Sequence, residues 1–329
     1  PQHKPPPPPH NNTRVGSSAA SDVYKRQAEL GQKISKKEFK QHELPLWENL
    51  LSLQQKLRLE GKFPVLIDFA GVRGAGKGTS VNILNKWMDA RWIVTHAYTK
   101  PSDEEAERPD FWRFWRHLPP RGQIGIHMSG RYSRPLLDYV YGRITQVDFM
   151  QKLDRINAFE KAQADDGAMV LKYWMHISRE VQKNRLETLE NDPLRSWRMS
   201  PEDWKHWEMY DKFIEAAERI ISYTNTGHAP WEIIEGEDFH YRSLRVGEIL
   251  QERLERHLRR RIRRAHLPVD LPGLQQEIAV PGHRQVAAHG HVEGLLQVEV
   301  LAAGDARHHD PINPLRIAEG VVEGDDAPA

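Results

Sequence analysis

The sequence predicts an α/β fold, with helices on both faces of a five-stranded parallel sheet and a helical lid. Two observations carry this: five short apolar runs separated by stretches of helical periodicity, and a glycine-rich loop directly after the first run. Residues 36–60 place Phe39, Leu46, Trp47, Leu50, Leu51, Leu53 and Leu57 at helical spacing and should form one or two amphipathic helices. The apolar runs read as buried strands at 64–70 (PVLIDFA), 92–98 (WIVTHAY), 123–128 (QIGIHM), 168–174 (AMVLKYW) and 231–235 (WEIIE). Helical stretches fall between them, at 78–88, 148–165, 178–190 and 201–222. The basic run RRRIRR at 259–264 closes a further helix, where cations favour the dipole and solvent. No internal repeat is visible.

Composition narrows the function classes. The 329 residues carry 47 basic and 46 acidic side chains, a net charge of +1, so affinity for a polyanion has to come from local clustering. Nucleic acid is therefore an unexpected partner. There is no cysteine, which excludes disulfides, thiolate metal sites and a cysteine nucleophile. No apolar stretch approaches the ~18 residues of a membrane span, so the expectation is a cytoplasmic protein without a membrane partner.

Both ends differ from the centre. Residues 1–27 combine five consecutive prolines with a small-polar stretch that cannot bury enough surface to fold, and SSAASDVYKRQ resembles translated vector sequence. They are expected to be a disordered or artefactual tail. From Leu267 to Ala329 there is no Phe, Trp, Tyr or Lys, so 265–329 is expected to be a non-native or disordered tail, leaving 28–264 as the folded domain. The tail histidines, among them His283, His289 and His308, match no ligand spacing, and no metal site is assigned to them.

The loop GVRGAGKGTS at 71–80 carries the chemistry. In a strand–loop–helix unit, glycines let successive N–H groups turn toward phosphate oxygens while the following helix presents its positive end. Gly71, Gly74, Gly76, Lys77, Gly78 and Thr79 supply this pattern, with Lys77 placed to reach the outer phosphates as the catalytic cation. The fold expected is thus of the phosphate-loop kinase type. The hydroxyl residue usual directly after the lysine is replaced by Gly78, and Arg73 stands inside the loop as a further phosphate contact. Asp68 lies within the first strand, where it can serve as a buried hydrogen-bond acceptor or as a site carboxylate.

Seven motifs in order resemble the type 2 polyphosphate kinase family: the loop itself, KPSDEE at 100–105, RFWRHLPPRG at 113–122, RYSRP at 131–135, DGAMVLKYWMHIS at 166–178, NDPLRSWRMSPED at 191–203 and TNTGHAPWEII at 224–234. The resemblance covers about 44–258 and implies phosphoryl transfer between inorganic polyphosphate and nucleotides, AMP and ADP here, with Mg2+ as the family cofactor. It also implies a mobile lid at about 178–205 carrying Arg185, Asp192, Arg198 and Asp203. The departures are specific. Active members place aspartates where this chain has Arg73 and Met128, and an arginine where it has Ser129. Both metal-side carboxylates are absent, so no metal ligand is assigned. This pattern is most like the N-terminal copy in the two-domain polyphosphate:AMP phosphotransferases, which implies a second homologous domain or a homo-oligomeric partner.

An arginine replacing a carboxylate beside phosphates removes a metal ligand and adds a fixed donor, so the expected copy, with Arg73 and Lys77 but no nearby acid, holds a polyanion and turns it over weakly or not at all. Two other classes stay open: a non-catalytic scaffold for a catalytic domain, and an ATP-dependent nucleoside-monophosphate kinase. Arg113, Arg116, Arg121, Arg131 and Arg134, with Lys172, could line a polyphosphate channel; a solvated charged face is the alternative. Phe111, Trp112, Phe114 and Trp115 could stack on a base, although consecutive aromatics in a helix more often enter the core.

Overall fold

The computed structural model describes residues 28–61 and 63–265. Its sheet comprises β1 (Val65–Gly71), β2 (Ile93–Ala97), β3 (Ile124–Met128), β4 (Met169–His176) and β5 (Trp231–Glu235), in the order β2-β3-β1-β4-β5. Every pairing is parallel, with Val65 opposite both Ile124 and Met169. Parallel strands need crossovers, and helices on both faces provide them.

The alternation of side chains along the strands separates two cores. Val65, Ile67 and Phe69 of β1 and Leu171, Tyr173 and Met175 of β4 join one core, which is shared with α1 (Lys36–Lys56), α2 (Lys77–Trp87) and α10 (Phe239–Ala265). Ala70 and Trp174 point to the other, formed with α5 (Ser133–Val140), α6 (Gln146–Asp165) and α9 (Tyr210–Thr224). This is the three-layer α/β/α arrangement. On the first face Gly247 lets α10 approach α1 and α2 closely: a Cβ there would stand 2.8 Å from Leu46 and Trp87. Trp87 is fully buried and donates its indole N–H to Glu43 at 3.1 Å.

The remaining helices are α3 (Asp103–Ala106), α4 (Trp112–Arg116), α7 (Arg179–Glu190) and α8 (Pro201–Glu208). The segment 36–60 is one α-helix continued by a π turn at Leu57–Gly61. The segment 201–222 is two helices meeting at Met209, with no glycine or proline to mark the break. Of the four aromatics at 111–115, Phe114 is buried and Phe111 stacks on Phe159 at 5.2 Å, while Trp115 is exposed. Among the described residues no helix is long and apolar enough to cross a membrane. The expectations for 1–27, for 266–329 and for the tail histidines lie outside the described residues.

Candidate functional site

β1 is the switch point of the sheet: the chain leaves it toward β2 and β3 on one side and returns to β4 on the other, which opens a crevice beyond its C-terminal end. The loop 72–76 fills that position and feeds α2. Gly71 is fixed there by sterics, having φ +125° and room for no side chain, since a Cβ would lie 2.0 Å from the Met175 carbonyl oxygen. The close approach lets Val72 donate its N–H to that carbonyl at 2.9 Å, tying the loop to β4. Gly71→Ala is expected to destabilise the protein by more than about 3 kcal/mol, because a left-handed φ and a backbone clash add. A urea unfolding curve measures it.

Gly74 and Gly76 also have positive φ, at +84° and +92°. The residue after Gly76 is Lys77, the first of α2, and its ammonium donates to the carbonyls of Gly71 and Val72, each at 2.9 Å. Desolvation, reinforced by the Arg73 charge, pushes the Lys77 pKa down to about 8. Two consequences of opposite sign follow. An anion held by Lys77 should bind less tightly as the pH rises through about 8, where the free ammonium loses its proton. Folding stability should instead rise between about pH 8 and 10.5, where the unfolded chain binds the proton and the folded chain does not. Binding titrations and urea midpoints at pH 7, 8 and 9 measure both.

The lysine opens into a cavity of about 810 Å³ that also includes Arg73, Thr99, Lys100, Ser129 and Arg134. Its walls carry ten lysines and arginines against three carboxylates. A chain of net charge +1 thus concentrates cations at one place, the arrangement that attracts a polyanion. Glu105 pairs with Arg113 at 3.4 Å, Asp138 accepts from Arg143 at 3.3 Å and Asp110 accepts from Arg155 at 3.0 Å, so all three acids are already engaged. Ser129, at the end of β3, has φ +52°, the positive φ of a non-glycine residue. Its N–H donates to Phe69 at 3.1 Å, which holds this strained residue against β1.

The outer side of the loop is held by three side chains. Gln182 of α7 donates to the carbonyl of Arg73 at 3.0 Å, and Arg185 donates to those of Gly74 at 2.5 Å and Gly236 at 3.0 Å. Arg242 of α10 donates to Gly236 at 2.8 Å and to the Thr79 hydroxyl at 2.8 Å. A Cβ on Gly76 would meet the Arg242 guanidinium at 2.4 Å, so this glycine serves the close approach as well as the turn. Desolvation and the neighbouring Arg185 charge lower the Arg242 pKa to about 10.

The structure gathers Gly71, Arg73, Lys77, Arg113 and Arg134 around one cavity and places the other expected residues differently. Arg121 precedes β3 and pairs with Asp166, which precedes β4, so it lies at the N-terminal end of the sheet, opposite the loop. Lys172 is fully buried: it sits opposite Asp68 in the register, three residues before Gly71, and its ammonium donates to Glu160 at 2.8 Å, Tyr132 at 3.0 Å and the Thr224 carbonyl at 2.7 Å. A side chain in the middle of a buried strand cannot line a solvent channel. Thr79 is two residues past Lys77, about 200° around the helix, so its hydroxyl faces Gly76 and Arg242. Arg185 is spent on loop carbonyls. Arg198 contributes its carbonyl to Arg73 at 3.0 Å, while its guanidinium lies over the Trp197 ring.

The expectation that Arg73 has no acid nearby is also corrected. Its guanidinium meets Asp203, at the first turn of α8, with Nε 2.8 Å from Oδ1 and Nη2 3.1 Å from Oδ2. Sequence reading placed Asp203 in the lid without this partner, because nothing in a linear pattern joins positions 130 residues apart. Arg242 and Glu160 were missed for the same reason.

Below the cavity, Asp68 accepts from Arg131 at 2.5 Å, and Glu160 accepts from Arg131, Tyr132 and Lys172. Two carboxylates and two cations are thus buried together with no net charge. Burial, partly offset by Arg131, raises the Asp68 pKa to about 6, and burial with the Arg131 charge lowers that of His127 to about 3. These residues form the floor of the site rather than its chemistry.

Magnesium does not fit the side chains present. The loop presents a guanidinium at position 73 rather than a carboxylate, Asp203 is committed to that guanidinium, and Asp68 is committed to Arg131 below the cavity floor. Among the described residues no group of three or more His, Asp or Glu could hold a metal ion.

Comparison with known proteins gives the family of the chain. The family model for polyphosphate kinase 2 matches residues 33–261. The Pseudomonas aeruginosa polyphosphate:AMP phosphotransferase is 44% identical over 228 residues, which cover 69% of this chain and 46% of that protein. The corresponding protein of Pseudomonas syringae pv. tomato is 39% identical over 228 residues, covering 69% and 46%. The chain thus spans about half the length of these curated relatives. Among solved structures, polyphosphate kinase 2 from Arthrobacter aurescens superposes with a TM-score of 0.65 at 26% identity, covering 69% of this chain and 81% of that one. Phosphate loop, cationic cavity and family match coincide over the same residues, and the chain belongs to the polyphosphate kinase 2 family.

Proposed function

We propose that this domain binds inorganic polyphosphate through Lys77 and the cationic cavity, with AMP or ADP as the nucleotide partner, and that its phosphoryl transfer is weak or absent. The observation that carries this reading is Arg73: a cation, already paired with Asp203, occupies the loop position where the metal-side acid would be needed. The loop keeps what holds phosphate, a lysine at a helix N-terminus reached through left-handed glycines. It lacks the carboxylates that would seat Mg2+, the charge-neutralising clamp of phosphoryl transfer.

Names of relatives support the substrate class, polyphosphate and AMP. The domain would then act as the phosphate-holding partner of a catalytic copy of the same fold, either a second domain or another chain. A nucleoside-monophosphate kinase using ATP is disfavoured because it needs the same missing acids.

A steady-state assay with polyphosphate, AMP and Mg2+ tests the weak-catalysis half. Turnover should stay near background; robust turnover that disappears in Lys77→Ala would overturn it. Equilibrium binding of long-chain polyphosphate tests the other half. Measurable affinity that falls with salt is expected, whereas no affinity would leave only the scaffold role.

A further inference from the structure

Asp203 lies outside the phosphate loop, yet it takes the loop's arginine. A guanidinium grips phosphate best with two parallel donors, the same fork that binds a carboxylate. In Arg73 that fork, Nε with Nη2, is engaged by the two oxygens of Asp203, and Nη2 also donates to the Arg198 carbonyl at 3.0 Å. Asp203 is nearly buried and performs a second task, accepting from the Ser200 N–H at 3.0 Å and the Ser200 hydroxyl at 3.3 Å to cap α8. Gln182 adds a further tie from α7 to the Arg73 carbonyl. The 3-10 turn Ser196–Arg198 and the start of α8 are therefore fastened to the loop by the donors a phosphate chain would use. Arg73 itself remains half-exposed and lines the cavity, so an incoming anion can reach it.

We propose that Asp203 is a built-in competitor anion: it latches the segment 196–206 to the phosphate loop through Arg73, and a bound phosphate chain exchanges with it and releases that segment. The inference rests on the reading above, that the loop takes a phosphate chain. It makes binding and lid position two readouts of one ion pair. Exchange conserves charge at the guanidinium, one anion leaving as another arrives, and it needs no metal ion.

The test uses the full chain in EDTA, with tripolyphosphate as probe, and the variant Asp203→Asn. Asparagine keeps an oxygen for the Ser200 N–H but loses the charge, so the α8 cap is retained. Hydrogen exchange at 196–206 without ligand should be about tenfold faster in Asp203→Asn than in wild type. Calorimetry should show tripolyphosphate binding at least about threefold tighter to the variant, because the competitor is gone. Saturating tripolyphosphate should bring wild-type exchange at 196–206 close to the variant's rate and leave the variant's unchanged.

Unaltered exchange in Asp203→Asn, with tripolyphosphate still bound by both proteins, would overturn the latch alone. Slower wild-type exchange on binding, or no gain in affinity in the variant, would overturn the competition. Absence of tripolyphosphate binding in both proteins would overturn the exchange together with the phosphate-chain reading. An Arg73→Lys variant adds a control for folding: it retains the charge but not the fork, and should show the fast exchange of Asp203→Asn with weaker binding than wild type.

Discussion

Lys77→Ala should weaken polyphosphate binding by about 10- to 100-fold, the loss expected when one charge-assisted hydrogen bond to phosphate is removed from a partly desolvated site. The lysine is half-buried, begins α2 and already points its donors at the loop carbonyls of Gly71 and Val72. Its stem is fixed by the loop, so the ammonium has little freedom to lose on meeting an oxyanion. Folding stability should change by no more than about 1 kcal/mol, because two hydrogen bonds to carbonyls are lost while the cost of holding a desolvated ammonium is relieved. Arg134→Ala, at an exposed side chain on the same cavity, should cost only a few-fold and lose its effect at high salt. Equilibrium dialysis of polyphosphate at low and high ionic strength compares the variants. Equal losses from Lys77 and Arg134 would mean that the loop is no more than part of a diffuse basic surface.

The second large effect falls on folding. Lys172→Met should destabilise the domain by about 3–5 kcal/mol, because it leaves the fully buried Glu160 without one of its two cations. Of the remaining partners, Arg131 already serves both Asp68 and Glu160 and Tyr132 is a neutral donor, so neither replaces the lost second positive charge. Adding Glu160→Gln should restore part of the loss, as expected when both members of a buried pair are neutralised. Urea unfolding of the single and double variants measures this. A channel role for Lys172 makes the contrary prediction, weaker polyphosphate binding at unchanged stability, so one pair of measurements separates the two.

These two lysines mark what a linear pattern can and cannot convey. Lys77 is legible because its chemistry is local: glycine spacing, a preceding strand and a following helix all lie within about 15 residues, and backbone sterics demand glycine where φ is positive. Lys172 belongs to a run whose apolar character identified a buried strand, and its alternation put it on one face of the sheet. What the alternation could not say was what lies on that face. Glu160, on α6, and Tyr132, just before α5, both come from the connection between β3 and β4 and meet Lys172 only after those helices dock.

The sheet and its five strands, the helices between them and the family were determined by the sequence itself, since period-2 and period-3.6 patterning and local turn chemistry act over short separations. Only the tertiary structure decided which cations share a cavity. Crossovers brought Lys100 and Arg134 beside Lys77, sent Arg121 to the far end of the sheet and buried Lys172. It also decided that Arg73 is paired: the Asp203 carboxylate arrives from 130 residues away on the first turn of α8. Ion pairs depend on distance in space and on desolvation, and neither is written in the spacing of residues along the chain.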